Sequence, residues 1–262
     1  MSYPSDRPSL RNRLLEGPVL GTFVSVGHAA SVEILATQGF EAVCIDAEHA
    51  ALGPAEIESL IRACDVSRVP SLVRVSGVGA EISRALDSGA RGVVVPRVET
   101  AEEAAAAVAA VRYPPAGTRG AGPGRASAYG SALPRYLETA NDDTVLVIQV
   151  ETRRGVDNAE EIAAVEGIDV VFVGPGDLAV SLGVPGGSPA HSAAVERIIG
   201  AATAAGVLTG IFCLDSAQVE RWAGAGVRLF LLGGDLLFLG STASTVASDA
   251  LRRLATVKAA TA

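Results

Sequence analysis

Apolar runs of strand length alternate with Ala-rich stretches of helical length along the whole chain, and this alternation limits the fold more than any other feature. Strands are predicted over 19–25, 42–46, 71–75, 92–96, 145–150, 169–173, 207–212 and 228–232. Helices are predicted over 30–39, 54–65, 79–88, 100–111, 155–164, 189–205, 215–224 and 241–258, several opened by a capping residue such as Ser31, Thr100 or Asp215. Eight strands, each followed by a helix, predict an α/β chain folded as a (β/α)8 TIM barrel. The rival is an open doubly wound sheet, which carries a Gly-rich dinucleotide fingerprint after its first strand. None follows residue 25, so no nucleotide cofactor is expected.

With 262 residues, 49% of them hydrophobic, the chain can bury a large core. We expect one barrel domain over 1–262, with 1–12 as an N-terminal extension and 241–262 as a C-terminal helix. Two segments exceed ordinary loops, 112–141 and 174–190, both rich in Gly and Pro. They are expected to leave from the carboxyl side of the barrel and to carry function.

The net charge of −8 and the lack of any basic run argue against nucleic acid or an anionic membrane surface as partner. Cys44, Cys64 and Cys213 are isolated in apolar contexts, which suits small core residues in a reducing cytosol. No signal-peptide h-region and no membrane-length apolar stretch is present, so a cytoplasmic protein is expected.

A barrel of this class gathers its active site at the carboxyl ends of the strands. Strand two delivers Asp46, Glu48 and His49; strand three delivers Arg74; strand five delivers Gln149 and Glu151; Asp177 follows strand six. Glu151 and Asp177 supply hard oxygen ligands for Mg²⁺ or Mn²⁺ and leave positions for a chelating 2-oxo acid. The structural alternatives are a rim pair of Glu151 with Arg153 or Arg154, and Asp177 as a helix cap. His49, beside Asp46, suits a base working near neutral pH. His28 and His191 read as capping or surface residues. Arg74 needs an anionic partner, either a bound carboxylate or enolate, or Asp87 or Glu48. The only lysine is Lys258, four residues from the end, so no Schiff-base lysine can stand in the mouth and carbanion chemistry would require a metal.

Taken together, LGTFVSV (20–26), IDAEHA (45–50), LVRV (72–75), ALDSGARGVVVPRVETAEEA (85–104), RYPPAGTRG (112–120), GRASAYG (124–130) and VIQVETRRGVDNAEEIAAVEGIDVVFVGPGDLAVSLG (147–183) resemble the HpcH/HpaI family of metal-dependent 2-oxo acid aldolases. The resemblance runs collinearly over residues 10 to 257. It implies that His49 and Asp46 form a base dyad acting on the C4 hydroxyl, and that Arg74 meets the keto oxygen. Glu151 and Asp177 would hold Mg²⁺, Mn²⁺ or Co²⁺, Gln149 would lie near the substrate, and the amides around Gly176 and Asp177 would take its carboxylate. Asp87 would act across a subunit boundary, and Phe212 would line the aldehyde pocket.

The resemblance also implies a homo-oligomer, a hexamer or trimer of dimers, that exchanges its last helix between neighbours. Its expected reaction is reversible cleavage of a 4-hydroxy-2-oxo acid into pyruvate and an aldehyde, with oxaloacetate decarboxylation beside it. A citrate-synthase-like or CoA-ester lyase activity and a 2-oxo acid sensor are the alternatives. Phosphate binding at LLGGDLL (231–237) lacks a supporting Arg or Lys. Gly176 and Phe212 stand where relatives more often carry Ala and an aliphatic residue, departures that bear on substrate size.

Overall fold

The computed structural model describes residues 9–260, so residues 1–8 of the expected extension and the last two residues lie outside the described residues. Eight parallel strands close into a barrel in chain order: β1 (Val19–Val24), β2 (Ala42–Asp46), β3 (Ser71–Arg74), β4 (Gly92–Val95), β5 (Val145–Val150), β6 (Val170–Val173), β7 (Leu208–Cys213) and β8 (Leu229–Gly234). All eight predicted strands are present, within two residues at each end. Their continuous apolar runs suit strands covered on both faces. No described helix is long and apolar enough to cross a membrane.

The helices are α1 (Leu10–Glu16), α2 (Ala29–Ala36), α3 (Pro54–Val66), α4 (Ala80–Asp87), α5 (Ala101–Val111), α6 (Leu133–Asp143), α7 (Arg153–Asp157), α8 (Ala159–Ala163), α9 (Pro175–Leu182), α10 (Pro189–Ala204), α11 (Ser216–Gly224) and α12 (Asp235–Ala260). Three of these, α1, α6 and α9, fall where the sequence reading placed an extension or loops. Both α6 and α9 carry Pro in their first two positions, where its missing N–H costs no helical bond. The single helix predicted over 155–164 is two, α7 and α8, broken at Asn158, whose side-chain amide donates to the Glu99 carbonyl at 2.8 Å.

Two apolar layers hold the barrel. Leu72, Val94, Val147, Phe172 and Leu231 fill its interior, and Leu10 and Leu14 of α1 join that cluster from outside the sheet. Ile45, Val73, Val93, Ile148, Val171 and Ile211 face outward against the helices. The three cysteines are free and buried.

The segment 112–141 corrects an expectation. It follows a helix, as read from the sequence, and for that reason packs at the amino-terminal end of the barrel rather than leaving from the carboxyl side. Arg112 donates to the carbonyls of Asn141, Thr144 and Gly167 and pairs with Asp169 at 2.7 Å, all just ahead of β5 or β6. Only the second long segment, 174–190, lies on the carboxyl side, and its first half is α9.

The last helix starts earlier than predicted, directly out of β8, and Phe238 stacks on Phe40 with ring centroids 5.9 Å apart. From Leu239 to Ala259 every residue except Asp249 is exposed, including Val246, Leu251, Leu254 and Val257.

Strand packing leaves no space at Gly92, where an added Cβ would run into the Val145 carbonyl and stand 2.9 Å from Leu72 Cδ2. Gly200, exposed within α10, would meet nothing within 4 Å. G92A should therefore destabilise by about 1–3 kcal/mol through overpacking. G200A should stabilise by about 0.5–1 kcal/mol through backbone entropy and helix propensity. Urea midpoints at unchanged slope will read both.

Candidate active site

Asp46 ends β2 directly opposite Arg74 at the end of β3. The pair is bidentate, Arg74 Nε donating to Oδ1 at 3.0 Å and Nη2 to Oδ2 at 2.8 Å. Asp46 Oδ1 also accepts the backbone amides of Glu48 and His49, both at 3.2 Å, which folds residues 46–49 into a tight turn. Burial pushes the Asp46 carboxyl up, and the Arg74 hydrogen bonds and charge overcome it, leaving the group below its usual range. The sequence reading offered Asp87 or Glu48 as protein partners for Arg74. Asp46 takes that place, with Glu48 Oε2 a further 3.4 Å neighbour of Nε.

The His49 ring projects toward solvent and lines the mouth cavity. Its Nε2 lies 3.6 Å from Glu48 Oε2. Asp46 touches His49 through the backbone amide, so the carboxylate nearest the imidazole is that of Glu48.

Glu151 follows β5 and is only 2% exposed. It accepts the Arg97 amide at 3.0 Å and a short hydrogen bond from Gln149 Nε2. Among the described residues no arginine pairs with it; Arg154 is engaged with Glu99, and Arg153 with the Leu182 carbonyl. Burial first, then the charges of Asp177 and Glu48, push the Glu151 carboxyl up to about 7 against the pull of Gln149 and the Arg97 amide. Gly174 is required beside it, because any Cβ there would collide with Glu151 Oε2.

Asp177 stands in the first turn of α9, exposed to the cavity; the N-cap of that helix is Gly174, so Asp177 is not the cap. Glu48 Oε2 and Gln149 Oε1 are buried without a hydrogen bond. A divalent cation fits this set: two carboxylates, one of them buried with no cation upon it, and orphaned oxygens close by. Among the described residues no group of three or more His, Cys, Asp or Glu is placed to hold a metal ion, so Glu151 and Asp177 would need water or substrate oxygens to complete the coordination.

Asp46, His49, Arg74, Gln149, Gly176, Asp177 and Phe212 all line one cavity of about 380 Å³ at the carboxyl ends of the strands. Gly176 is exposed with nothing within 4 Å of an added Cβ, so the methyl absent here would find room. Glu151 is not itself part of the cavity lining and sits buried behind Gly174 and Gln149, which are. Asp87 is the one expected residue that lies elsewhere. It ends α4 at the opposite end of the barrel, paired at 2.7 Å with Arg119, and does not face its own chain's cavity.

Residues missed in the sequence complete the wall. Phe23 lies 4.6 Å beneath the Arg74 guanidinium and 5.8 Å from the Phe212 ring. Asp235, at the start of α12, accepts the amides of Ser25 and Val26 at 2.9–3.1 Å and brings Leu236 and Leu237 to the cavity. A carboxylate on those amides disfavours phosphate at 231–237. His28 caps α2 as expected, accepting the Ala30 amide at 3.2 Å. His191, expected at a cap or surface, is instead buried with both ring nitrogens engaged.

Residues 20–240 match the family model described as HpcH/HpaI aldolase/citrate lyase. The chain is 40% identical over 242 residues to a hydroxypyruvate/pyruvate aldolase of Paraburkholderia phytofirmans, covering 88% of this chain and 92% of that one. It is 40% identical to a 4-hydroxy-2-oxovalerate aldolase of Novosphingobium aromaticivorans, covering 94% of each. A crystal structure of an HpcH/HpaI aldolase/citrate lyase family protein from Burkholderia cenocepacia superposes with a TM-score of 0.86 at 39% identity, covering 92% of this chain and 98% of that one.

Because the folded protein holds a proton on Glu151 up to about pH 7 and the unfolded chain releases it near 4.5, the stability this proton contributes is present at low pH. It is lost as pH rises through 7. In EDTA, the melting temperature of E151Q should gain on that of the parent between pH 5 and pH 8, by roughly 5 °C at the upper end. Parallel melting curves for the two proteins across that window would refute the buried-charge account.

Proposed function

The chain belongs to the HpcH/HpaI aldolase/citrate lyase family, and from that premise we propose that it is a metal-dependent class II aldolase cleaving a 4-hydroxy-2-oxo acid to pyruvate and an aldehyde. The observation that carries the reading is Glu151, a buried carboxylate without a cation, directly behind Gly174 in the wall of a mouth lined by Asp177, Arg74 and His49. The names of the two relatives above support a 2-oxo acid as the common substrate class. When bound by Glu151 and Asp177, Mg²⁺, Mn²⁺ or Co²⁺ would supply Lewis-acid stabilisation of the developing enolate.

The protein's own groups do the remaining work. Amides at Gly176 and Asp177, at the positive end of α9, would take the substrate carboxylate, with Gln149 beside it. Arg74, held in one orientation by Asp46, would donate to the keto oxygen as negative charge grows there. His49 would accept the C4 hydroxyl proton while the C3–C4 bond breaks. The bond's electron pair stays on C3 as the pyruvate enolate, C4 leaves as the aldehyde carbonyl, and C3 then takes a proton. Glu48 would orient and stabilise the protonated imidazole. Phe212 and Phe23 would border the departing aldehyde and limit its bulk.

The exposed apolar face of α12 and the position of Asp87 support a homo-oligomer, a hexamer or trimer of dimers, in which α12 packs on a neighbour and Asp87 serves a neighbour's site. We take residues 1–262 as one cytoplasmic domain.

Pyruvate release from a panel of 4-hydroxy-2-oxo acids should vanish in EDTA and return with Mg²⁺, Mn²⁺ or Co²⁺; undiminished cleavage by metal-free protein would overturn the mechanism. H49A should lower aldol cleavage by about 10²–10⁴-fold. Oxaloacetate decarboxylation, which needs no hydroxyl deprotonation, should persist in the same variant. Equal loss of both activities would remove His49 from the role of hydroxyl base.

A further inference from the structure

The arm that carries Gly176 and Asp177 stands between two cavities. The mouth cavity lies on its inner side, a second cavity of about 590 Å³ lies on its outer side, and Pro175, Gly176 and Phe212 line both. Leu178 anchors the arm in the core, but the leading turn, Pro175 to Asp177, has open space on both faces and takes little of its position from packing, so hydrogen bonds set where that turn stands. Its own backbone bonds are ordinary or long: Leu178 N to Gly174 O at 3.0 Å and Gly174 N to Val150 O at 3.4 Å.

Arg153 ties the far end of the arm through the Leu182 carbonyl at 2.8 Å, and the tie to its leading turn comes from the far wall of the outer cavity. His191 Nε2 lies 2.8 Å from the Pro175 carbonyl, the residue immediately before Gly176. The ring's other nitrogen, Nδ1, receives the Gly187 amide at 3.1 Å. A backbone amide only donates, so Nδ1 carries the lone pair and Nε2 carries the proton. The Pro175 carbonyl only accepts, and it takes that proton. His191 is 7% exposed and sits in the first turn of α10, where Ser188 caps its amide at 3.3 Å. The ring is therefore fixed at its base and at both nitrogens.

We propose that His191 is a positioning residue for the arm: its Nε2–H bond to the Pro175 carbonyl holds the Gly176–Asp177 backbone and the Asp177 carboxylate in register with Glu151. This rests on the reading of Glu151 and Asp177 as a divalent-metal pair. Hydrogen bonds made directly to a metal ligand are worth about 10- to 100-fold in metal affinity, which sets the scale for a bond to the backbone that carries one.

Gln and Met have equal length, and only Gln ends in an N–H donor, so H191Q and H191M differ in the bond that matters. Mn²⁺ binding to metal-stripped protein, read by electron paramagnetic resonance of the unbound ion, is the primary measurement. H191M should bind Mn²⁺ about 10- to 100-fold more weakly than the parent, and H191Q should stay within about threefold of it. At saturating Mn²⁺, H191M should raise KM for oxaloacetate while kcat holds, because the arm binds substrate and takes no proton from it. Equal Mn²⁺ affinity in parent and H191M overturns the proposal, and so do equal losses in H191M and H191Q. H191N, too short to reach Pro175, replaces H191M if that variant does not fold. A parent protein that binds no Mn²⁺ overturns the metal reading instead, which separates the two failures.

Discussion

A guanidinium and a carboxylate buried side by side, where two parallel strands end, satisfy each other only because the sheet register sets Asp46 opposite Arg74. Removing either partner would strand an uncompensated charge in the wall, at a cost of about 3–5 kcal/mol. Much of the mouth is arranged around that pair. With both Asp46 oxygens committed, the amides of Glu48 and His49 close the turn that sends the imidazole out over the cavity. With its guanidinium plane fixed, Arg74 rests on Phe23, and Phe23 in turn meets Phe212. One ion pair thus orients the proton-accepting ring, the cation for the keto oxygen and the aromatic border together.

The acidic side of the mouth follows a different logic. Glu151 is fully surrounded, and the absence of a side chain at Gly174 is what lets the carboxylate sit there at all. Its hydrogen bonds from Gln149 and the Arg97 amide fix the direction of the oxygens without neutralising them. A negative charge held in this way is costly to the empty protein and attractive to a cation, so affinity for the ligand and instability without it have the same origin.

The strands were legible because parallel strands covered on both faces read as unbroken apolar runs, as in residues 145–150. Charged residues directly after such runs were legible as site residues for the same reason: Asp46, Arg74 and Glu151 have only the mouth to occupy. The helices inside the two long Gly- and Pro-rich segments were not, since α6 and α9 share their opening residues with ordinary turns, whereas α3 and α10 also open on Pro and were read as helices. The same texture misplaced 112–141, although a segment between a helix and the next strand must return to the amino-terminal end. Phe23 was hidden because an apolar residue inside a strand looks the same whether it fills the core or borders a cavity. Adjacency in sequence suggested Asp46 for the His49 ring, and the register between strands gave it to Arg74 instead. His191 carried no signal, because its two partners, Gly187 and Pro175, are backbone groups.

The last helix begins in the cavity wall at Asp235 and carries the chain's single lysine, Lys258, near its other end. At a rise of 1.5 Å per residue, about 35 Å of helix separate that amine from the mouth. No other lysine side chain exists in the sequence. Amine-directed chemistry on a side chain would therefore act at the far end of this helix and at no residue of the mouth.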